Sequence, residues 1–385
     1  MSKKRVIYQS DVVYAGPSPA TATHSINSIN QLHRVTEINP EWGVTRIDIN
    51  QMGQLGAIER KVDDINSNLS LKYYATDGYN EKALGLYVNN AGTISYASGE
   101  YDMVTPLSGF LSQVTAEKNY FILTVGEGKD AIKPAGTEYT AAERTGEHQV
   151  MAIGNGFVSN YSFEAAVGGM ATASVSVEGT NTNYALTSSG AYIPAINESG
   201  CTSTTTYILP TAHESASALM PSALKAGDIE LVFLDSNVVG GASFTSMSVQ
   251  NFNISIPLAR EALKRLNSRL TYSRELKFPI TATIGMSANL SDITEGTLAS
   301  LLCNDQNNDL LLKLYDSNCV NVSGNCSHGT PALAFYIKNA NLSSQKFSNS
   351  IGSTAKTVDL SWEVQMGGIG DYTKGVFISG SDTVL

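Results

Sequence analysis

Charge is scarce in this 385-residue sequence. Asp, Glu, Lys and Arg make up 16% of it, against about 25% in an average soluble domain. The 35 acidic residues outnumber the 25 basic ones, for a net charge of −10 at pH 7. No Lys/Arg cluster interrupts the chain, so binding nucleic-acid phosphates by displacing their counterions is excluded as its business. Long apolar runs are missing too. No stretch approaches the roughly 20 residues a bilayer span requires. The basic start Met1–Arg5 gives way through Val6-Ile7-Tyr8 to Gln9-Ser10-Asp11, without the apolar centre of an export signal, so neither a secretion leader nor a membrane anchor is expected.

Catalytic and metal-binding signals are equally thin. His24, His33, His148, His213 and His328 lie far apart, and none stands in a metalloprotease pattern. Cys319 and Cys326, with His328, form the only local thiol cluster. Their spacing lacks the close pair and clear fourth ligand of a zinc site. A Cys319–Cys326 disulfide and a plain loop both stay open, and a reducing compartment favours the loop. Turn formers on both sides, Asp316-Ser317-Asn318 and Ser323-Gly324-Asn325, predict a hairpin tip flanked by Val320 and Val322. Gly126–Asp130 resembles a phosphate loop only faintly: Asp130 stands where Ser or Thr is needed, and Leu123 where the first Gly should be. No Gly-x-Ser-x-Gly elbow occurs. The expectation is no enzyme, no cofactor and no metal.

What remains is rich in small polar residues and tyrosine, with 33 Gly, 18 Tyr and 42% hydrophobic residues, enough for real cores. The length predicts two to three domains. Leu69–Tyr74, Tyr120–Val125, Phe157–Ala166, Ala173–Val177, Ile229–Leu234, Val249–Ile256, Ile280–Ile284, Leu333–Ile337 and Val358–Val364 read as strands, most with period-two alternation. Gly, Asn and Ser clusters punctuate them, as in an all-β sandwich or barrel. Helix signals are few. Ser255–Leu266 is the best: Ser255 caps it, Pro257 sits in its first turn, and Ala259, Ala262, Leu263 and Leu266 share a face. Thr294–Leu302 is second and Asn80–Leu86 third. Gly126–Glu147 reads as a long loop or arm, and 183–224 as a linker or arm.

The halves overlay at an offset of 214: Val35 on Val249, Asn39 on Asn253, Arg46 on Arg260, Arg60 on Arg274, Glu81 on Glu295 and Leu84 on Leu298. The identities are sparse, but the order of features is shared without a gap. Each copy has an alternating strand before an Arg (Ile38, Trp42, Val44 against Phe252, Ile256, Leu258), a polar segment, a second Arg with an aliphatic two residues on (Val62, Leu276), another strand and a Glu-containing helical segment. A repeat of this length is a domain duplication rather than a solenoid unit. The predicted units are 1–182 and 183–385.

Val249–Leu263 with Leu276–Thr283 resembles the core of tail tube (major tail) proteins of long-tailed bacteriophages. Leu32–Ile38, Gln51–Leu55, Tyr73–Glu81, Ile153–Gly169 and Leu224–Leu231 are similar in kind, and these stretches are spread over both halves of the chain. The resemblance implies an all-β, mainly antiparallel chain: a β-sandwich or barrel with a short flanking helix, present here twice. It implies subunits whose strands join around a ring, and rings that stack into a conduit for genome DNA. Six single domains make a ring in that family, so three duplicated chains would make a pseudo-sixfold one. The implied partners are further copies of the chain, the baseplate hub, tape measure and terminator, and a sheath in contractile tails. The implied location is the virion tail, assembled in the host cytoplasm. DNA would pass an acidic lumen without specific binding. Candidate assembly residues are Arg46, Arg60, Arg260 and Arg274, the loop from Gly126 to Glu147, and the Cys319–Cys326 hairpin. A baseplate or hub ring is the first alternative. A carbohydrate-binding host-recognition protein using Trp42 and Trp362 is the second, although both tryptophans read better as core anchors. A hydrolase has the least support.

Overall fold

The computed structural model describes residues 10–17, 29–90, 104–111, 117–126, 128–134, 136–194, 204–213, 223–225, 229–233, 248–266, 270–290, 307–316, 320–322, 325–327, 331–348 and 356–381. Its elements are β1 (Asp11–Pro17), β2 (Asn30–Gln31), β3 (Val35–Ile49), β4 (Glu59–Tyr74), α1 (Tyr79–Leu84), β5 (Asn89–Asn90), α2 (Ser108–Leu111), β6 (Lys118–Val125), α3 (Ala141–Gly146), β7 (His148–Ala166), β8 (Thr172–Gly179), β9 (Asn181–Ala185), β10 (Ala191–Pro194) and β11 (Thr204–Tyr207). The chain continues with β12 (Ile229–Phe233), β13 (Ser248–Pro257), β14 (Arg260–Leu263), β15 (Ser273–Leu276), β16 (Thr281–Leu290), β17 (Asn308–Leu314), β18 (Val320–Val322), β19 (Asn325–Ser327), β20 (Leu333–Ser348), β21 (Lys356–Gln365) and β22 (Gly375–Gly380). The fold is all-β and almost wholly antiparallel. Each of the nine expected strands falls on one of these elements, although Ile280 precedes β16 and Leu234 lies outside the described residues.

Eight strands run side by side in the order β3-β4-β8-β7-β13-β16-β21-β20. Two smaller sheets flank this one, β2-β1-β6-β7-β9 and β12-β17-β20-β22. The long strands β7 and β20 belong to both layers, turning the corner between them as sandwich strands do. One core lies between the layers and includes Val13, Leu71, Tyr73, Tyr120, Tyr161, Phe163, Phe252, Ile284, Phe335, Leu360 and Trp362. It runs from the first half of the chain into the second, where Phe163 and Phe335 touch at a centroid distance of 4.7 Å. A second core, with Tyr14, Phe121, Tyr139, Ile193 and Tyr207, covers the other face of β1 and β6. That is why β6 is buried almost throughout while β8, covered on one face, alternates cleanly.

The pairing registers recur. Adding 184 to β7, 190 to β6, 185 to β8 and 194 to β9 reproduces the pairings of β20 with β17, β21 and β22. Three bulges recur with them, at 36 and 250, 119 and 309, and 159 and 343. So do two asparagines in the left-handed region, Asn155 (φ 53°) and Asn339 (φ 62°). Each donates its backbone N–H to the bulged residue opposite, Asn155 to Asn119 Oδ1 at 3.1 Å and Asn339 to Asp309 Oδ1 at 2.8 Å. Ser159 and Ser343, the bulged serines, each donate to the carbonyl of a serine on the next strand, Ser176 and Ser361. Bulges are positional devices rather than accidents.

Three expectations need correction. Ser255–Leu266 is not a helix: it completes β13 and forms β14, which pairs with β15. Ile254, Ile256 and Leu258 are fully buried at period two, whereas Leu266 and Ala262 of the supposed helical face are exposed; burial of the strand face overrides helix propensity. Trp42 is not a core anchor, being 36% exposed on a hairpin, although Trp362 is buried. Within 183–224, the described parts are not a linker: β9 pairs with β7, β10 with β11, and Tyr207 and Leu209 lie in the second core. The weak signal at Asn80–Leu86 marks α1, and Thr294–Leu302 lies outside the described residues.

Candidate assembly interface

The main projection is a hairpin. β3 and β4 stay paired from Val35 and Tyr73 out to Ile49 and Glu59, and every residue from 41 to 63 is exposed. The turn at its end passes through Gly53 at φ +92°, which only glycine adopts without strain. Its exposed side chains are unusually apolar: Trp42, Val44, Ile47, Ile49, Met52, Leu55, Ile58 and Val62. Exposed apolar groups in such density mark an interaction surface. Arg60 clasps Asp48 with Nε–Oδ1 2.7 Å and Nη2–Oδ2 3.1 Å. Both are exposed, so this pair contributes about 0–1 kcal/mol.

The second hairpin, β14–β15, is the counterpart. Arg46↔Val62 and Asp48↔Arg60 in the first become Arg260↔Leu276 and Ala262↔Arg274 in the second, at the offset of 214. Its base, however, lies against the first half of the chain. β13 pairs along β7 from Asn251↔Ala166 to Pro257↔Asn160. Arg260 then donates from Nε to Val158 O at 2.8 Å and from Nη1 to Arg274 O at 3.1 Å. Its guanidinium lies over the rings of Phe157 and Phe110. Burial pulls Arg260 down to about 10, opposed by Tyr120, Glu178 and Glu275. Arg274 Nη1 sits 2.6 Å from Glu178 Oε2. Two of the four candidate arginines therefore close a junction inside the chain, and the other two, Arg46 and Arg60, stand on the exposed hairpin.

Gly126 and Glu147 bound a loop, but it is folded down rather than extended as an arm. Gly126 N–H donates to Glu147 O at 3.1 Å, and Lys129 Nζ meets Glu147 Oε1 at 2.7 Å. Between them the loop lies on 207–213: Lys133 N–H donates to Ala212 O, Tyr139 N–H to Thr211 Oγ1, and Arg144 Nη1 to Leu209 O. α3 opens with a capping box between Thr140 and Glu143. Lys133 and the Thr140 backbone N–H hold Glu143 down at about 2. Thr140→Ala should loosen this loop by about 1 kcal/mol, seen as faster amide exchange in α3 with little change in global unfolding. Of the thiol hairpin, β18 and β19 pair as expected, Asn321 opposite Cys326. Cys319 lies outside the described residues.

No family model matches the chain, and no curated protein matches it in sequence. Several solved structures overlap part of it, among them the following two. The SPP1 tail tube, a hybrid solid-state NMR and cryo-electron-microscopy structure, covers 41% of this chain and 79% of its own, at 13% identity and a TM-score of 0.27. The baseplate of the anti-feeding prophage, a cryo-electron-microscopy structure, covers 40% of this chain and 91% of its own, at 9% identity and a TM-score of 0.26. Neither likeness is close enough to fix the fold or the role.

Two polar features were not legible in the sequence. Glu81 is fully buried and its Oε1 accepts hydrogen bonds from Tyr73 (3.0 Å) and Tyr161 (3.2 Å), while Oε2 has no hydrogen-bond partner. A cleft of about 410 Å³ is lined by Asp11, Leu32, His33, Arg34, Tyr74 and Met170 among others. Burial, with Arg34 beside it, lowers His33 to about 4, so its imidazole is neutral at pH 7. Among the described residues no cluster of three His, Cys, Asp or Glu side chains is arranged to hold a metal ion, and no helix is long and apolar enough to cross a membrane.

Proposed function

We propose that the chain is a structural virion protein of a phage tail, two copies of one β unit in tandem, which assembles through its sheet edges into rings that stack as a tube. The observation that carries this reading is the eight-stranded sheet: among the described strands its two ends, β3 and the 341–348 stretch of β20, pair on one side only. Long flat edges of this kind are a liability in a monomer and an asset in a polymer. The low charge and small polar side chains suit a subunit covered by neighbours, since buried ions would be costly. The sequence resemblance to tail tube proteins supports the same reading. Three chains would close a pseudo-sixfold ring carrying about −30, a charge that repels phosphate and lets DNA slide. The exposed apolar hairpin would reach the next ring. A baseplate ring built from the same unit is the alternative, and copy number per virion separates the two.

Negative-stain microscopy of concentrated purified protein tests the proposal directly: rings or tubes are expected, and monomers at every concentration, with tail initiators present, would overturn it. A second variant separates ring formation from stacking. Replacing residues 50–58 by a two-residue turn, which keeps the Ile49↔Glu59 and Asp48↔Arg60 pairings, should leave the fold and single rings intact and abolish tubes. Tubes of normal length from this variant would remove the hairpin from the stacking contact.

A further inference from the structure

Within one chain, β13 of the second half adds to the edge of β7 in the first. We propose that β3 adds in the same way to β20 of a neighbouring copy, in the same register, so that the junction inside the chain and the junction between chains are one contact used twice. This rests on the ring reading above.

The offsets that relate the halves give the residues. Ile254↔Phe163, Ser255↔Ser162, Ile256↔Tyr161 and Pro257↔Asn160 become Pro40↔Phe347, Glu41↔Lys346, Trp42↔Gln345 and Gly43↔Ser344 between copies. The hydrogen bond from Arg260 to Val158 O becomes one from Arg46 to Leu342 O. The Arg274–Glu178 pair becomes Arg60 with Glu363.

The exposed surfaces match what this junction would cover. Trp42 is 36% and Val44 50% exposed, yet their counterparts Ile256 and Leu258 are fully buried. On the opposite edge Phe347 is 48% exposed, and its counterpart Phe163 is buried. Trp42 already packs on Tyr184, with ring centroids 5.7 Å apart, and the exposed remainder of these side chains is what the strand of another copy would cover. The charges agree as well. Glu41 meets Lys346 where the internal junction has two serines, and position 363 repeats the carboxylate of Glu178. Opposite charges facing across strands stabilise one register and disfavour slipped ones. Asp48 holds Arg60 in the free chain, whereas the matching residue beside Arg274 is Ala262. Arg60 would therefore turn from, or share, Asp48 when Glu363 arrives. The contact is head-to-tail, which closes into a ring or runs on as a filament according to its rotation.

Cysteines at Glu41 and Lys346 test the register. In antiparallel pairs opposed Cα atoms lie about 4.5–5.5 Å apart, within disulfide reach. Mild oxidation of assembled Glu41→Cys/Lys346→Cys protein should give linked dimers and trimers on a non-reducing gel. The shifted pair Glu41→Cys/Gln345→Cys and each single variant should show only the background of the native cysteines. Rings or tubes that link through the shifted pair, or through neither, overturn this junction and leave the tube reading standing. Protein that never assembles overturns both. Charge reversal is the second measurement. Glu363→Arg should raise the concentration needed for assembly about tenfold, and adding Arg60→Glu should restore it. Failure of the restoration removes that pair.

Discussion

Glu81→Ala should destabilise the protein by about 4 kcal/mol, while Glu81→Gln should cost little at neutral pH. The alanine leaves the hydroxyls of Tyr73 and Tyr161, both fully buried, without the acceptor they share, at about 1–3 kcal/mol each, and adds a cavity. Glutamine keeps a carbonyl oxygen in place of Oε1. It also removes a pH dependence. Burial raises the Glu81 carboxyl above its ordinary 4.5, with backbone and tyrosine hydrogen bonds opposing the rise. The folded state thus holds a proton that the unfolded chain releases. Stability from this group is complete below about pH 4.5 and is lost as the pH climbs from there through the raised value. Urea unfolding over a pH series should show the wild type losing stability relative to Glu81→Gln across that window. Parallel curves would mean that folding does not raise the Glu81 carboxyl.

The second large effect sets Phe163 against Phe347, the same position in the two halves. Phe163→Ala should cost about 3–5 kcal/mol in the isolated chain, because the ring is buried and packs on Phe335 at 4.7 Å. Phe347→Ala should cost under about 1 kcal/mol there, as surface changes do, and should weaken assembly at least tenfold. Unfolding and sedimentation measured on the same samples separate the two. Equal stability losses would mean that Phe347 is already packed in the single chain, and an unaffected sedimentation profile would place it outside the contact.

Where a strand has its partner inside the chain, alternation was enough to find it: β8, β13 and β21 follow period two because one face meets the core. The hairpin of β3 and β4 follows the same pattern around Trp42 and Val44, but those residues are exposed here, so alternation alone mistook an outward surface for an inward one. The helix expected at Ser255–Leu266 failed for the opposite reason. Arg260-Glu261-Ala262-Leu263 has helical composition, and the pairing with Ser273–Leu276 overrides it. The registers of the two hairpins correspond at an offset of 214, and those of later strands at 184 to 194, because the segments between them differ in length. No fixed offset could reveal the paired bulges or the two left-handed asparagines. The Glu81 cluster was hidden because Tyr73 and Tyr161 come from strands that only folding brings together.

The tandem arrangement also bears on how a tube would start. When β13 docks on β7, it does so within one molecule, during folding, at no translational cost. Bringing separate molecules together costs about 4–15 kcal/mol of lost freedom for each association. A pseudo-sixfold ring of three such chains has half its seams formed before any encounter. Closing it is a three-body problem instead of a six-body one, so its rate of spontaneous nucleation falls with roughly the third power of dilution rather than the sixth. A fused subunit of this kind can begin rings at concentrations where its unfused halves would stay dispersed.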